Sequence, residues 1–446
     1  MTQSFVLDGS YRRHETVVIA GSPLRLFRLS PAGCRIIEAI ERDQPLPNGH
    51  AKLTDRLVAA GALHPRPAGS AFTAADVTYV IPAFNASPGT IPHDANVIVV
   101  DDASEPPLPD ADEWRTIHLT HNRGPAAARN TGLAEVTTPF VAFVDTDVDL
   151  HDDWLDALLP HFDDPLVALV APRIASKAGA TPLDAYEAVR SPLDLGNEPA
   201  RIAAGSRVSY VPAAAMVART DDLRAIGGFD ETMRTGEDVD LVWRLIESGR
   251  RCRYEPAATV HHRPRRSIAA WAQQRLSYGR SAAVLGRKHP GDVAPLRMSG
   301  WSAAVWALVL ARRPVAGVGV AIGTTVALRR KLADLPAQES IRLAGLGHLY
   351  AGRQVASAIT RVWWPIAVIV AMLVPRARLP LLGATIVPSL LDWYGNRGPG
   401  TPTRYVAMRL ADDVAYGTGV WIGAIEQRRS GALTPKFTSW PGRTAG

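Results

Sequence analysis

Three carboxylates crowd one stretch of the chain, Asp145, Asp147 and Asp149 in FVAFVDTDVD, and the first two are one residue apart. Such a pair can hold a hard divalent cation, which in turn can hold a diphosphate. The residues before them, Phe140 to Val144, are all apolar and read as a strand buried on both faces, as a parallel sheet requires. The carboxylates then stand at the C-terminal end of that strand, where open α/β sheets bind their ligands. A solvated acidic turn capping the next helix is the competing reading.

The chain of 446 residues has room for about two to four domains. Its 49 basic and 43 acidic residues give a net charge of +6, with no Lys/Arg block dense enough for a nucleic-acid protein. Two cysteines, Cys34 and Cys252, exclude a disulfide framework and a thiolate metal site, and fit a reducing compartment. The opening stretch MTQSFVLDGSYRRHE has no apolar segment of the secretory kind, so a start in the cytoplasm is expected.

Residues 1–70 read as a small module. Strand-like runs at 16–20 and 25–29 flank Gly21-Ser22-Pro23, a hairpin signal. Helical spacing follows at 33–40, after Ser30-Pro31, and again at 53–63, before a linker with Pro65 and Pro67. A hairpin with two or three helices suggests a winged-helix-like unit; a structural cap on the larger domain is the alternative. Strand-like runs then recur at 77–81, 97–100, 115–119 and 140–144. With helices between them they predict a parallel, doubly wound sheet of Rossmann-like character. The dinucleotide fingerprint Gly-x-Gly-x-x-Gly is absent from these turns, which argues against a dehydrogenase. Between Asn85 and Val97, Pro88, Gly89 and Pro92 predict a loop in place of the usual crossover helix.

In order along the chain stand VIPAFN (from Val80), VDDAS (from Val100), NRGPAAARNTG (from Asn122), Asp145-x-Asp147, GGFDE (from Gly227) and GEDVDLVWRL (from Gly236). Together they resemble the ordered motifs of family 2 glycosyltransferases, which have the GT-A fold, over residues 77 to about 290. The N-terminal patterns LSPAGCRIIEAI and LVAAGAL resemble PqqD-like peptide-recognition domains, which implies a peptide-derived acceptor. The resemblance divides the chain into a module at 1–70, a GT-A domain at 76–290 and an apolar helical region at 291–446.

What the resemblance implies is an inverting, metal-dependent transfer of a hexose, glucose foremost, from a UDP-sugar, once or several times. Asp102 reads the uracil edge with backbone support at Pro82 and Ala83, and a carboxylate accepts the uracil N3–H that cytosine lacks. Arg129 lies against the nucleotide, where a guanidinium fork suits a charged or planar partner; pairing with a carboxylate on a helix face is its alternative. Asp145 touches ribose or a metal-bound water, and Asp147 binds Mg²⁺ or Mn²⁺ directly. His262, at the end of a strand-like run with His261, is the second metal ligand. Asp238 is the catalytic base: a glycine turn precedes a helix, and an ionised carboxylate at the helix start is favoured by the dipole and held by backbone amides. An N-cap role for Asp238 can coexist with this. Glu237 falls before the helix, and Asp240 pairs with Arg244 at i, i+4.

Four apolar runs follow, at 301–311, 314–328, 362–374 and 379–391, each short for a membrane span. Arg312-Arg313-Pro314 and Pro375-Arg376-Ala377-Arg378 split them into pairs, with tryptophans at the edges. This predicts interfacial helices or re-entrant hairpins on the cytoplasmic side of the cell membrane; a buried soluble helical domain is the alternative. Two other functions stay open. A lipid or polysaccharide glycosyltransferase would suit the apolar tail, though Gln273-Gln274-Arg275-Leu276 lacks the processive Gln-x-x-Arg-Trp motif. A non-catalytic peptide-binding scaffold is opposed by intact Asp102, Asp145, Asp147 and Asp238.

Overall fold

Ser30 accepts a hydrogen bond from the Gly33 amide and Pro31 occupies the first turn, so the first helix begins where the sequence requires. In this computed structural model, which describes residues 4–396 and 400–439, the N-terminal module comprises β1 (Ser4–Leu7), β2 (Arg12–His14), β3 (Val17–Ala20), β4 (Arg25–Arg28), α1 (Pro31–Glu41), α2 (Ala51–Ala59) and β5 (Leu63–Arg66). β2, β3 and β4 form an antiparallel meander, and β1 pairs with β5. The expected hairpin and both helices are there, but α2 stops short of residue 63. Leu63 and His64 are buried in β5 instead, because pairing with β1 recruits them into a ladder that local helical spacing does not reveal.

Next come β6 (Val77–Ala83), β7 (Asn96–Asp101), β8 (Arg115–His118), α3 (Pro125–Glu135), β9 (Phe140–Val144), β10 (Val148–Asp149) and β11 (Val167–Ser176). After α4 (Pro182–Arg190) follow β12 (Ala200–Arg201), β13 (Ala215–Arg219), α5 (Thr220–Ala225), α6 (Glu237–Glu247) and β14 (Arg251–His262). The main sheet runs β10-β14-β11-β13-β9-β6-β7-β8, with β12 on β14. β6 to β9 pair in parallel as expected, but the sheet as a whole is mixed. β13 lies antiparallel between β9 and β11, since the chain enters it at the C-terminal end of β9 without a crossover. Gly132 of α3 sits where a Cβ would come within 2.4 Å of Val80, so only glycine lets the helix approach β6 this closely. Residues 84–95 carry no helix, as predicted.

The chain divides into two compact units, one running up to Ala178 and including Arg190–Pro264, the other Gly179–Val189 with the chain from Arg265 onward. The first therefore contains the N-terminal module together with the sheet, and its boundary falls at 264/265 where the sequence reading placed it at 290/291. The reason is α7 (Ile268–Lys288), which belongs to the second unit. That unit also holds β15 (Arg297–Ser299), α8 (Gly300–Leu310), α9 (Pro314–Lys331), α10 (Ala337–Arg361), α11 (Trp364–Leu373), α12 (Arg378–Asn396), α13 (Pro402–Glu426) and β16 (Lys436–Ser439). Arg275 of α7 is 2% exposed and donates to Glu187 and Asp412, while the Trp271 indole donates to Glu187 at 2.9 Å. A fully buried arginine of this kind binds α7 to α4 and α13. Among the described residues no single helix is long and apolar enough to cross a membrane, and α10 with α11 would do so only as a pair bent by 85°.

Candidate active site

The apolar strand β9 delivers Asp145 and Asp147 into a tight turn. The Val148 amide donates to Asp145 O at 3.1 Å, the Asp145 amide to Ala214 O at 3.0 Å, and the Arg263 amide to Asp147 O at 2.9 Å. The chain then pairs β10 with the end of β14, Val148 opposite His262. This register carries the His262 Nε2 to 3.1 Å from Asp147 Oδ2. The Asp147 side chain is 28% exposed and that of His262 8%. A carboxylate oxygen and an imidazole nitrogen facing one another are both groups that could ligate a divalent cation. Among the described residues, no group of three or more His, Cys, Asp or Glu could hold a metal. The donor set therefore fits a cation held jointly by protein and phosphate oxygens, not by the protein alone.

Arg129 on α3 is buried and spans two carboxylates, reaching Asp145 at 2.7 Å and Glu237 at 2.8 Å, with its face over the Phe229 ring. Burial opposes its charge, and the two acids more than offset this. Asp145 is pushed up, first by burial and next by the charge of Asp147, against the pull of Arg129. The arginine placed against the nucleotide by the sequence reading thus ties the carboxylate turn to the start of α6. Glu237, which the same reading set before the helix, is its first residue. The only signal for it was adjacency to Asp238, because the partner lies 108 positions away.

Gly236 takes a left-handed conformation at φ 81° and is itself the N-cap of α6. Asp238 is consequently not the cap but a first-turn residue. Its carboxylate accepts from the Val239 amide at 2.8 Å and the Ala213 amide at 3.3 Å, as the expected amide support requires. It remains part-exposed. The expectation of a plainly ionised group needs correction: burial and then the neighbouring charge of Glu237 push it up to about 7, against the backbone amides and Arg129. Asp240 is fully buried and pairs with Arg244 at 2.7 Å, which also donates to the Ile226 and Gly228 carbonyls. It anchors the preceding loop.

At the other side of the strand ends, Asp102 is 3% exposed, and its two oxygens accept the Arg123 and Gly124 amides, both at 2.7 Å. Its own amide donates to Ala83 O at 2.8 Å, beside Pro82 at the end of β6. Asp102 therefore fixes the loop that opens α3, and a nucleobase N–H would be a further donor to an already engaged carboxylate. Asn130 brackets Phe229, accepting its amide at 2.8 Å and donating to its carbonyl at 2.9 Å. Sequence reasoning gave Asn130 no role, although it lies within a quoted motif. The loop at 84–95 closes onto the carboxylate turn: a Cβ on Gly89 would stand 2.5 Å from Val148 O, and the Leu150 amide donates to Thr90 O.

The family described as Glycosyl transferase family 2 matches residues 80–218. The chain is 42% identical to the pre-mycofactocin glycosyltransferases of Mycobacterium tuberculosis strains CDC 1551 and H37Rv, over 95% of its own length and 94% of theirs. Among solved structures it is similar to a mannosyltransferase from Pyrobaculum calidifontis in complex with GDP-Man and Mn²⁺, at 17% identity and a TM-score of 0.42 over 80% of this chain and 89% of that one. Residues 1–349 of Staphylococcus aureus TarS with UDP give 17% and 0.33 over 46% and 65%.

Proposed function

From the premise that the chain belongs to the family 2 glycosyltransferases, alongside the pre-mycofactocin enzymes, we propose that it moves a hexose, glucose foremost, from a UDP-sugar to a peptide-derived acceptor with inversion. The observation that carries this reading is the Asp145–Arg129–Glu237 bridge. It joins the turn that would meet the diphosphate to the helix start that bears the base.

Asp238 takes the proton of the acceptor hydroxyl, whose oxygen forms a bond to the anomeric carbon as that carbon's bond to phosphate oxygen breaks. The bonding pair leaves with UDP. A group poised near neutrality suits proton abstraction at ordinary pH. Asp147 and His262 would hold Mg²⁺ or Mn²⁺, whose charge offsets that of the diphosphate. Asp102, with Pro82 and Ala83, lines the base end. Residues 1–70 supply acceptor recognition.

We further propose that the second unit lies on the cytoplasmic face of the membrane. The support is the run of exposed apolar side chains on α9, α11 and α12, Val315 at 86%, Leu373 at 75% and Leu379 at 72% among them. The test of the main reading is incubation of the purified chain with a panel of UDP-sugars and peptide-derived acceptors, with and without chelator. Transfer from UDP-glucose that stops in chelator is expected. Transfer to a lipid or polysaccharide acceptor alone would overturn the peptide assignment, and no transfer to any acceptor would favour a scaffold.

A further inference from the structure

The loop that leads into Asp238 is stitched by side chains to the loop at the base end of the site. Beyond Phe229, which Asn130 brackets, Glu231 accepts from Asn130 Nδ2 at 3.0 Å and from Arg123 at 2.6 Å. Further on, Arg234 donates to Asn122 Oδ1 at 2.7 Å and lies 3.5 Å from the Asn122 carbonyl oxygen. Asn122 in turn donates from Nδ2 to the Asp102 carbonyl at 3.3 Å. Arg234 Cδ and Nη1 both lie 3.0 Å from where a Cβ on Gly124 would stand, and Gly124 has φ 93°. A glycine there suits the backbone and leaves room for the guanidinium.

The route from Asp102 to Asp238 is thus a pair of side-chain hydrogen bonds followed by a short piece of backbone, from Arg234 to Gly236 at the cap of α6. The Arg129 bridge secures the same helix start from the side of the carboxylate turn. Arg234 is exposed, whereas Gly236 and Glu237 are buried. An exposed polar contact adds little to the stability of the fold, but a guanidinium fork fixes direction. Direction matters for a base, since a misplacement of about 1 Å can cost on the order of 10²-fold in rate.

We infer that Arg234 is a positioning residue for transfer, which through Asn122 holds the turn that presents Asp238 in a fixed place relative to the base end at Asp102. The inference rests on the glycosyltransferase reading with Asp238 as the base. Arg234 itself takes no part in making or breaking bonds. A nucleotide that steadies Asp102 and the loop at 122–124 steadies this turn as well, so the base is in place when a donor is.

The test uses the full chain with UDP-glucose, Mn²⁺ and a peptide-derived acceptor. It compares wild type with Arg234→Met, which keeps the stem without donors, Arg234→Lys, which keeps a charged donor, and Asn122→Ala. The thermal midpoint of Arg234→Met should match wild type, because the residue is exposed. Its kcat should fall about tenfold or more while the calorimetric Kd for UDP changes by less than about threefold. Arg234→Lys should recover part of the loss. Combining Arg234→Met with Asn122→Ala should cost no more than the greater single change, as expected of groups that act through one another. Hydrogen exchange over residues 232–240 should slow on binding of UDP and Mn²⁺ in wild type but not in Arg234→Met; should UDP bind without transfer, this comparison decides alone. Wild-type kcat in Arg234→Met, losses that add in the double variant, equal slowing of exchange in both chains, or kcat and Kd weakening together with a lowered midpoint would overturn the inference and leave the glycosyltransferase reading standing. A wild-type chain that neither binds UDP nor transfers would overturn that reading, and this one with it.

Discussion

Asp238 is the residue on which chemistry and stability pull in opposite directions. Asp238→Asn keeps size but removes basicity, so transfer should fall by about 10² to 10⁴-fold with UDP affinity little changed. Unchanged turnover would eliminate it as the base. In wild type, kcat/KM should rise through an acid limb centred near the value of about 7, and the variant should lack that limb. The same shift governs stability. The folded value lies above the ordinary 3.8, so the protonated carboxyl contributes stability that is whole below that ordinary value and lost as pH rises through the folded one. Wild type should weaken by up to about 1.4 kcal/mol per pH unit across that window. Melting curves from acid to alkaline pH should show Asp238→Asn gaining on wild type toward alkaline pH; a constant gap would refute the buried-acid account. Asp147 belongs to the same scale. With one carboxylate and one imidazole on the protein side, Mn²⁺ should bind weakly alone and much more tightly with UDP present, by calorimetry. Asp147→Asn should abolish that synergy, and equal Mn²⁺ affinity with and without UDP would contradict shared coordination.

At the scale of elements, the structure changes how the C-terminal region is to be tested. Truncation near residue 290 looks natural from the apolar runs, yet α7 packs against α13 closely enough that a Cβ on Gly419 would stand 2.0 Å from Leu276 O. Removing α13 would take Asp412 away from the Arg275 guanidinium and the Tyr186 hydroxyl, and would bare the face of α7 that α13 covers. Such a truncation should aggregate. Point changes on the exposed apolar surface are cleaner: Leu373→Glu with Leu379→Glu should reduce co-sedimentation with anionic vesicles by about tenfold or more. Wild-type chain that stays in the supernatant with those vesicles would end the membrane proposal.

For the molecule as a whole, the N-terminal module is part of the first unit and not an appendage. The Arg207 amide donates to Ser22, Arg207 lies 3.6 Å from Asp8, and Arg251 lies 3.5 Å from Asp55. Deleting residues 1–70 should therefore lower the thermal midpoint by several degrees, as a loss of a few kcal/mol does in a chain of this size, besides impairing transfer to a peptide-derived acceptor. UDP-sugar hydrolysis by the surviving folded fraction should persist. A deletion variant with wild-type melting and wild-type acceptor kinetics would leave the module without either role.

Strand β9, its following carboxylates and the glycine turn before α6 were legible in the sequence because each depends on a few consecutive residues: an apolar run, an acidic pair, a glycine free to adopt positive φ. Ser30 and Pro31 announced α1 for the same reason. What local pattern could not supply was the direction of β13, the recruitment of Leu63 into β5 and the assignment of α7 to the second unit, all decided by pairing with distant segments. Nor could it tell that Arg129 joins Asp145 to Glu237, or that Glu237 raises Asp238. Those facts depend on distances between side chains that are far apart in the chain, and burial, which sets the strength of every charge interaction at the site, exists only once the two strand ends and the helix start have come together.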